Sequence, residues 1–318
     1  MKRLPIAFSL AVLATSSSAQ TTQYGPLALR LPASARALAM ADIAVAGRDD
    51  DVIFYNPAQL VVARGTSMSF ERMSPEVRGG TMSTVLRIGS GGLGIGVNYL
   101  EYRRGPLDGY PISRDDILDP RTNTSPPGVY VSGFDTMAVN GSYGSSTLAT
   151  LGFAQVYRGL RIGASANYAV DEVGLDRYRN VVGDVGLSRD FARYFTGALA
   201  LQHLGGPMRD GVSIKPPMKA TLGVGWVAPA GPLDVTATAA VSAMREGHLS
   251  PGIGGEASWS WLSGYAISAR GGVRYAHEIG DASYAGGVGF VADRVAIDVA
   301  AEVLKNNRVG YRAGFRIR

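Results

Sequence analysis

The chain has 318 residues and a formal net charge of +5; 18% of its residues are charged, 42 are glycine and none is cysteine. Basic residues are spread along the chain without a Lys/Arg-rich run interleaved with aromatics, so nucleic-acid binding is not expected. The absence of cysteine excludes a lipoprotein anchor and a disulfide framework.

The N-terminus has the pattern of a secretory signal peptide. Lys2 and Arg3 precede a mostly apolar run, Leu4–Leu13, and small residues at 17–19 suit cleavage before residue 20. The run is shorter than the roughly 18 to 20 apolar residues of a spanning helix, and no other stretch approaches that length. We therefore predict an exported protein with residues 1–19 removed and no helical membrane anchor.

Residues 20–65 lack two-residue alternation and are predicted to form a partly helical plug. A helical stretch around Ala35 to Ala46 is followed by three aspartates, and Pro57 would stop a preceding helix while Asn56 satisfies backbone groups at the turn. Arg36 could pair with an acidic residue of the plug or wall. These residues either take part in plug movement or simply hold the plug in place. The candidate plug residues are Arg36, Asp49, Asp50, Asn56, Pro57 and Ala58.

Residues 66–318 are predicted to form a transmembrane antiparallel β-barrel. In residues 308–317, every second side chain is apolar and the residues between are arginine or glycine, which gives one lipid-compatible face and one polar face. The same alternation predicts fourteen strands, at 66–74, 80–88, 92–102, 148–157, 160–171, 178–189, 193–204, 217–228, 231–243, 252–262, 265–276, 282–291, 294–304 and 308–317.

The predicted connections differ in length on the two sides of the barrel. After even-numbered strands come brief turns, at 90–91, 158–159, 191–192, 229–230, 263–264 and 293. Connections after odd-numbered strands are mostly longer, and the longest is a proline-rich extracellular loop at 103–147. Short periplasmic turns opposite longer extracellular loops are typical of outer-membrane barrels. Residues 132–146 could add a strand, but one more strand would break the even count.

Charged residues on the predicted inward face are candidates for a lumen network. Their mixed signs favour a satisfied network over a selectivity filter, which would use one sign. They are Arg161, Asp184, Lys219, Asp234, Glu256, Arg270, Arg274, Asp298, Glu302, Arg312 and Arg316. On the outward face, near strand ends, a predicted aromatic girdle comprises Trp226, Trp259, Trp261, Tyr265 and Tyr275.

The sequence gives little support for catalysis. His203, His248 and His277 lie at or near predicted extracellular loops, and none belongs to a compact Ser/His/Asp pattern. No metal-ligand spacing is present, and the glycine-rich run at 91–96 belongs to a turn and strand, without a following helix to bind phosphate. We predict no enzymatic activity, no metal and no cofactor.

The plug segment resembles a known family. Residues 34–41, 44–46 and 49–51, with the run Phe54–Leu60 around Asn56-Pro57-Ala58, resemble the N-terminal signature of the PorV/PorQ family, within the group of barrels similar to the long-chain fatty-acid transporter FadL. The chain has Ala39, Ala41 and Asp42 where that family commonly has glycine.

The resemblance implies an N-terminal hatch inside the lumen and one of two roles. The first is binding or passage of hydrophobic small molecules across the outer membrane. The second is an accessory or shuttle role in a type IX-like protein secretion system, with secretion subunits and cargo as partners. Outer-membrane lipids are expected to surround the barrel in either case.

Overall fold

The computed structural model describes residues 26–29, 31–74, 77–103, 143–173, 176–206, 215–245, 249–276, 281–304 and 308–317. The predicted signal peptide and most of the predicted long loop lie outside these residues. The strands are β1 Gly65–Ser74, β2 Val77–Ile88, β3 Gly91–Arg103, β4 Tyr143–Tyr157, β5 Leu160–Val173, β6 Asp176–Ala192, β7 Phe195–Leu204, β8 Lys219–Ala230, β9 Leu233–Met244, β10 Leu249–Leu262, β11 Tyr265–Ala276, β12 Asp281–Ala292, β13 Val295–Leu304 and β14 Arg308–Ile317.

These fourteen strands close into one antiparallel barrel. Each strand pairs with its neighbours in sequence, and β1 pairs with β14, so the sheet has no free edge. A closed barrel satisfies its backbone hydrogen bonds internally, which is the condition for crossing a bilayer with strands. The predicted all-β, fourteen-stranded barrel is confirmed.

Six two-residue turns, one after each even-numbered strand except β14, lie at the same end of the barrel, which we call the short-turn rim.

Two predicted turns were wrong. Residues 191–192 and 229–230 belong to β6 and β8, and the turns fall at Arg193–Tyr194 and Gly231–Pro232. Likewise, Arg103 lies in β3, and β4 begins at Tyr143, inside the predicted long loop. Alternation marks the faces of a strand but not where its hydrogen bonding stops, so the ends move by several residues.

The two faces of the wall differ as the alternation predicts. On β14, Arg312 and Arg316 point inward and are buried, while Tyr311 and Phe315 point outward and are exposed. Four aromatic residues form a contact group on the outside at the short-turn rim, with ring centroids 5.6 to 6.3 Å apart. They are Trp259, Trp261, Tyr265 and Phe290. Of the predicted girdle, Trp226 is only half-exposed, whereas Tyr275 is exposed near the opposite rim.

Residues 26–29 and 31–64 lie inside the barrel as a plug. Their elements are short: α1 at Ala35–Ala39 and three 3₁₀ helices at Leu27–Leu29, Asp50–Phe54 and Pro57–Val61. Most plug residues are buried, and the plug contacts strands on all sides of the lumen. No helix among the described residues is long and apolar enough to cross a membrane.

Helix α1 is much shorter than the predicted stretch of Ala35 to Ala46. Its N-terminus is capped by Ser34, whose Oγ accepts from the Ala37 amide at 3.0 Å. Its C-terminus is a Schellman motif, because the Asp42 and Ala41 amides donate to the Ala37 and Leu38 carbonyls at 2.7 and 2.9 Å. Ala41 and Asp42 have φ of 58° and 61°, so the chain turns left-handed and the helix cannot continue.

Candidate functional site: the plug and its contacts with the wall

Six charged side chains form a closed ring between the plug and one side of the wall. In order around the ring, they are Asp49, Arg36, Glu256, Arg270, Asp298 and Arg316. Each arginine contacts two carboxylates and each carboxylate contacts two arginines, with distances that include 2.9 Å for Arg36–Glu256 and 2.7 Å for Arg316–Asp49. We call this set the charge ring; its formal charge is zero.

The charge ring is an anchor between two parts of the fold. Arg36 and Asp49 belong to the plug, whereas the other four members belong to β10, β11, β13 and β14. Their side chains are only 3% to 18% exposed. Burial alone would lower the pKa of Arg36, but the adjacent carboxylates of Asp49 and Glu256 outweigh it and raise that pKa above its usual value. Arg36 is therefore held as a cation.

A second anchor lies between the plug and β14. The Arg312 guanidinium donates to the Pro32 carbonyl of the plug and to Glu71 of β1. Arg312 is 1% exposed, and Ser69, also on β1, donates to the Ala33 carbonyl at 3.2 Å. The part of the plug just before α1 is thus fixed to the seam where the barrel closes.

On the opposite wall the buried contacts of the plug are made by backbone and neutral groups, and one exposed ion pair joins Arg48 to Asp190 at 3.5 Å. Asn56 is fully buried; its amide donates to the Val45 carbonyl at 2.9 Å and its Oδ1 accepts from the Ala58 amide at 3.0 Å, which caps the helix Pro57–Val61. Glycines on the wall leave room for this segment. A Cβ on Gly186 would lie 1.9 Å from Asn56 Oδ1, and one on Gly163 would lie 2.4 Å from the Pro57 carbonyl carbon.

The plug also shapes the lining of a cavity of about 40 Å³ next to β7, β8 and β11. Asp42 is central to it: Tyr55 Oη donates to its Oδ1 at 2.7 Å, and Arg274 lies 3.5 Å from its Oδ2. Burial, reinforced by the nearby carboxylates of Asp42 and Asp51, raises the pKa of Tyr55 well above its usual value, so the phenol stays a donor. The other polar lining residues are Gln202, His203, Lys219, Thr221, Ser242 and Ser250.

Arg274, which lines this cavity, has hydrogen-bond donors without a partner. Its Nε and Nη2 atoms are buried and have no hydrogen-bond partner among the described residues. Buried N–H groups usually have a hydrogen-bond partner, and a buried N–H group without one costs free energy. One water molecule needs a cavity of about 10 to 15 Å³. The cavity of about 40 Å³ therefore has room for a small polar group beside Arg274.

The structure places the other predicted lumen residues in separate contacts. Arg161 pairs with Asp190 at 2.8 Å, near the short-turn rim. Asp184 accepts from Ser165, Asn167 and the His203 amide at 2.7 to 2.9 Å, and Glu302 accepts from Ser283 at 2.5 Å. The prediction for Asp234 was wrong, because this residue is exposed near the start of β9 and lies outside the buried network. Alternation predicts which face a side chain lies on, but not how deep it lies in the barrel.

Several residues of these plug and wall contacts were not predicted from the sequence. Asp42 and Tyr55 carry no local signal, because their contact depends on the left-handed turn after α1. Glu71 could have been found, since it has the same inward parity as Ser67 and Ser69. His203, by contrast, is buried with φ of 59° where the pairing of β6 and β7 shifts register, and its Nδ1 contacts the Pro217 carbonyl at 2.9 Å. Asp50 begins a 3₁₀ helix; His248 and His277 lie outside the described residues.

Comparison with solved structures gives the same fold. The Ralstonia pickettii toluene transporter TbuX aligns with a TM-score of 0.57 at 16% identity, over 90% of this chain and 98% of that one. The CymD monoaromatic hydrocarbon channel aligns with 0.60 at 11%, over 90% and 97%, and a Pseudomonas aeruginosa FadL homologue with 0.52 at 8%, over 89% and 97%. No protein-family model matches the chain, and the curated proteins give no match.

The chain therefore has the FadL-like outer-membrane barrel fold. At these identities the comparison concerns the fold alone. The PorV/PorQ assignment stays a prediction.

Proposed function

We propose that this protein binds hydrophobic small molecules and passes them across the outer membrane, without enzymatic activity. Solved barrels of the same fold include a toluene transporter and a monoaromatic hydrocarbon channel. The observation that carries the proposal to this chain is the plugged lumen with a cavity where plug and wall meet. A plug blocks free diffusion, so a molecule that crosses has to be bound beside it first.

The lining of the cavity indicates how a ligand would be oriented. Ile43, Val45 and Ala240 supply apolar surface, while Arg274 also lines the cavity and has two buried nitrogen atoms, Nε and Nη2, without a hydrogen-bond partner among the described residues. Ligand sites commonly combine a mostly apolar wall with a few polar groups that fix orientation. A hydrophobic molecule with one polar end would satisfy both features if that end entered the cavity beside Arg274, because about 40 Å³ admits a polar group and not a whole aromatic ring.

The test is binding to the purified, detergent-solubilised protein, measured by calorimetry with toluene, benzyl alcohol and benzoate as probes. Binding of at least one probe is expected, and Arg274→Gln should weaken benzyl alcohol and benzoate more than toluene. Arg78→Gln is the matched control, because Arg78 is 74% exposed on the wall. If the wild type binds none of the three, this function is rejected.

The narrower family assignment leads to a second candidate, an accessory subunit of a type IX-like secretion system. It is supported by the resemblance over residues 34–60 only. Its test is a pull-down of the tagged protein from native outer membranes, followed by mass spectrometry of proteins and lipids. Stoichiometric secretion subunits without an enriched apolar ligand would favour it; an enriched ligand without protein partners would favour transport. The same sample reports whether residues 1–19 have been removed.

A further inference from the structure

We propose that one arc of the short-turn rim binds the phosphate headgroups of anionic phospholipids. Four exposed arginines on the ends of β2, β4 and β6 and on their turns define this arc, which we call the basic arc. They are Arg87, Arg158, Arg189 and Arg193. The inference is independent of what passes through the lumen.

The basic arc has little negative charge to neutralise it. Within residues 84–93, 153–164 and 186–198, which are all described, Asp190 is the one acidic residue. Asp190 is already paired with Arg161 at 2.8 Å and with Arg48 at 3.5 Å. The four arginines therefore leave a concentrated positive charge on this part of the rim.

The rest of the short-turn rim differs. The turns and strand ends of β8 to β13 carry exposed Asp234, Asp293 and Arg294, with an aromatic cluster beside them on the outer wall. The positive charge is thus confined to one side of the barrel. A confined patch indicates a site for a charged ligand rather than a general property of the rim.

The neighbours of the basic arc place it at the membrane surface. Exposed apolar side chains lie within two residues of the arginines: Leu86 (54%), Ile88 (52%), Tyr157 (59%) and Phe191 (62%). On a barrel these side chains face hydrocarbon or the interface, so this part of the rim lies at headgroup depth. Arg189 has the outward parity of Phe191, whereas Arg87 has the inward parity of Val85 and adds its charge from the lumen side of the rim. This favours a lipid over a soluble acidic protein, which would approach from beyond the rim.

The side chains also suit a phosphate chemically. A guanidinium presents parallel N–H donors that match two phosphate oxygens. Arg158 Cζ lies 5.2 Å from the Tyr157 ring centroid, and Arg193 Cζ lies 5.2 Å from that of Tyr194, so a ring supports each of these two side chains. In an outer-membrane barrel the short turns face the periplasm, so the lipid would belong to the periplasmic leaflet.

The experiment measures lipid selection by the full chain. The protein is reconstituted with equal amounts of phosphatidylglycerol and phosphatidylcholine, extracted in mild detergent, and its retained lipids are counted by native mass spectrometry. Wild type should be enriched in phosphatidylglycerol. The triple variant R158Q/R189Q/R193Q should lose that enrichment. At low salt we expect the enrichment to fall about fivefold for each arginine removed.

The matched control removes the same charge elsewhere. R72Q/R78Q/R177Q changes three exposed arginines near the opposite rim, and it should retain the enrichment. Folding of each variant is checked by the heat-dependent gel mobility of the barrel. Replacement of the same three arc residues by lysine should keep most of the selectivity, because the positive charge remains. Equal lipid selection by wild type and the folded glutamine variant, or equal loss in the control, would overturn the proposal.

Discussion

On β10, β11, β13 and β14 buried charged side chains join the wall to the plug, whereas on β5 and β6 the buried contacts are made by glycines, backbone groups and neutral side chains. Glycines also face the plug on β10 and β11, and an exposed ion pair joins Arg48 to Asp190 of β6, so the contrast lies in the buried charges. The first contact depends on charge balance among six groups. The second depends on space, since the chain of the plug approaches the sheet more closely than a Cβ would allow.

The difference shows that the two sides of the plug respond to different changes. A buried ion network is weakened by removal of a single charge, because the partner left behind has lost its hydration and its counter-charge. A glycine contact is insensitive to charge and is broken by one methyl group. Glu256→Gln and Gly186→Ala separate these two kinds of attachment.

The largest effect is expected at the charge ring. Glu256→Gln leaves Arg36 and Arg270 without one of their two carboxylates, and breaking a buried pair costs about 3–5 kcal/mol. The measurement is the free energy of unfolding in urea, for the protein inserted in lipid vesicles.

The double variant R36Q/E256Q is the control for that prediction. It restores a neutral set in which Asp49, Arg316, Asp298 and Arg270 still alternate in sign. We expect it to recover part of the lost stability. If the effects of the two single variants simply add, the ring members are not coupled.

A smaller effect is expected on the glycine side. Gly186→Ala forces Asn56 out of its position, and overpacking of this kind costs about 1–3 kcal/mol. The plug should then be cleaved faster by trypsin after Arg48, whose side chain is half-exposed. Gly183→Ala on the same strand is the control, because the nearest atom to its Cβ would be 3.6 Å away. Equal cleavage of both variants would show that the close contact does not hold the plug.

The smallest effect is expected at Ala41 in the turn after α1, and substitution of the next residue, Asp42, should have the opposite sign. Ala41→Gly relieves a left-handed residue and should raise the free energy of unfolding by up to about 1 kcal/mol. Asp42→Gly gives the same relief but removes the partner of Tyr55 and Arg274, so it should lower that free energy by about 1–3 kcal/mol. Urea titrations of both variants measure the difference. A stabilising Asp42→Gly would show that these contacts contribute little.

Much of the wall could be predicted from the sequence because strand alternation is a local property. Residues 308–317 show both faces of β14 without reference to any other strand. The boundaries were less certain, as at β6, where polar and apolar residues continue to alternate into the turn region. The charge ring shows the limit. Its four wall members were candidates by parity and its two plug members were candidates from the plug segment, but Arg316 and Asp49 are 267 positions apart, and nothing local pairs them.

The sequence by itself determined a barrel with an apolar outer face, a polar inner face and a non-strand segment of the right length to enter the lumen, because side-chain periodicity fixes which solvent each face meets. Only the tertiary structure decided which charges pair, which glycines admit the plug and where Asp42 meets Arg274. Those contacts depend on the register of fourteen strands and on the path of the plug, and a buried charge is satisfied only by the groups that this geometry places within a few ångströms of it.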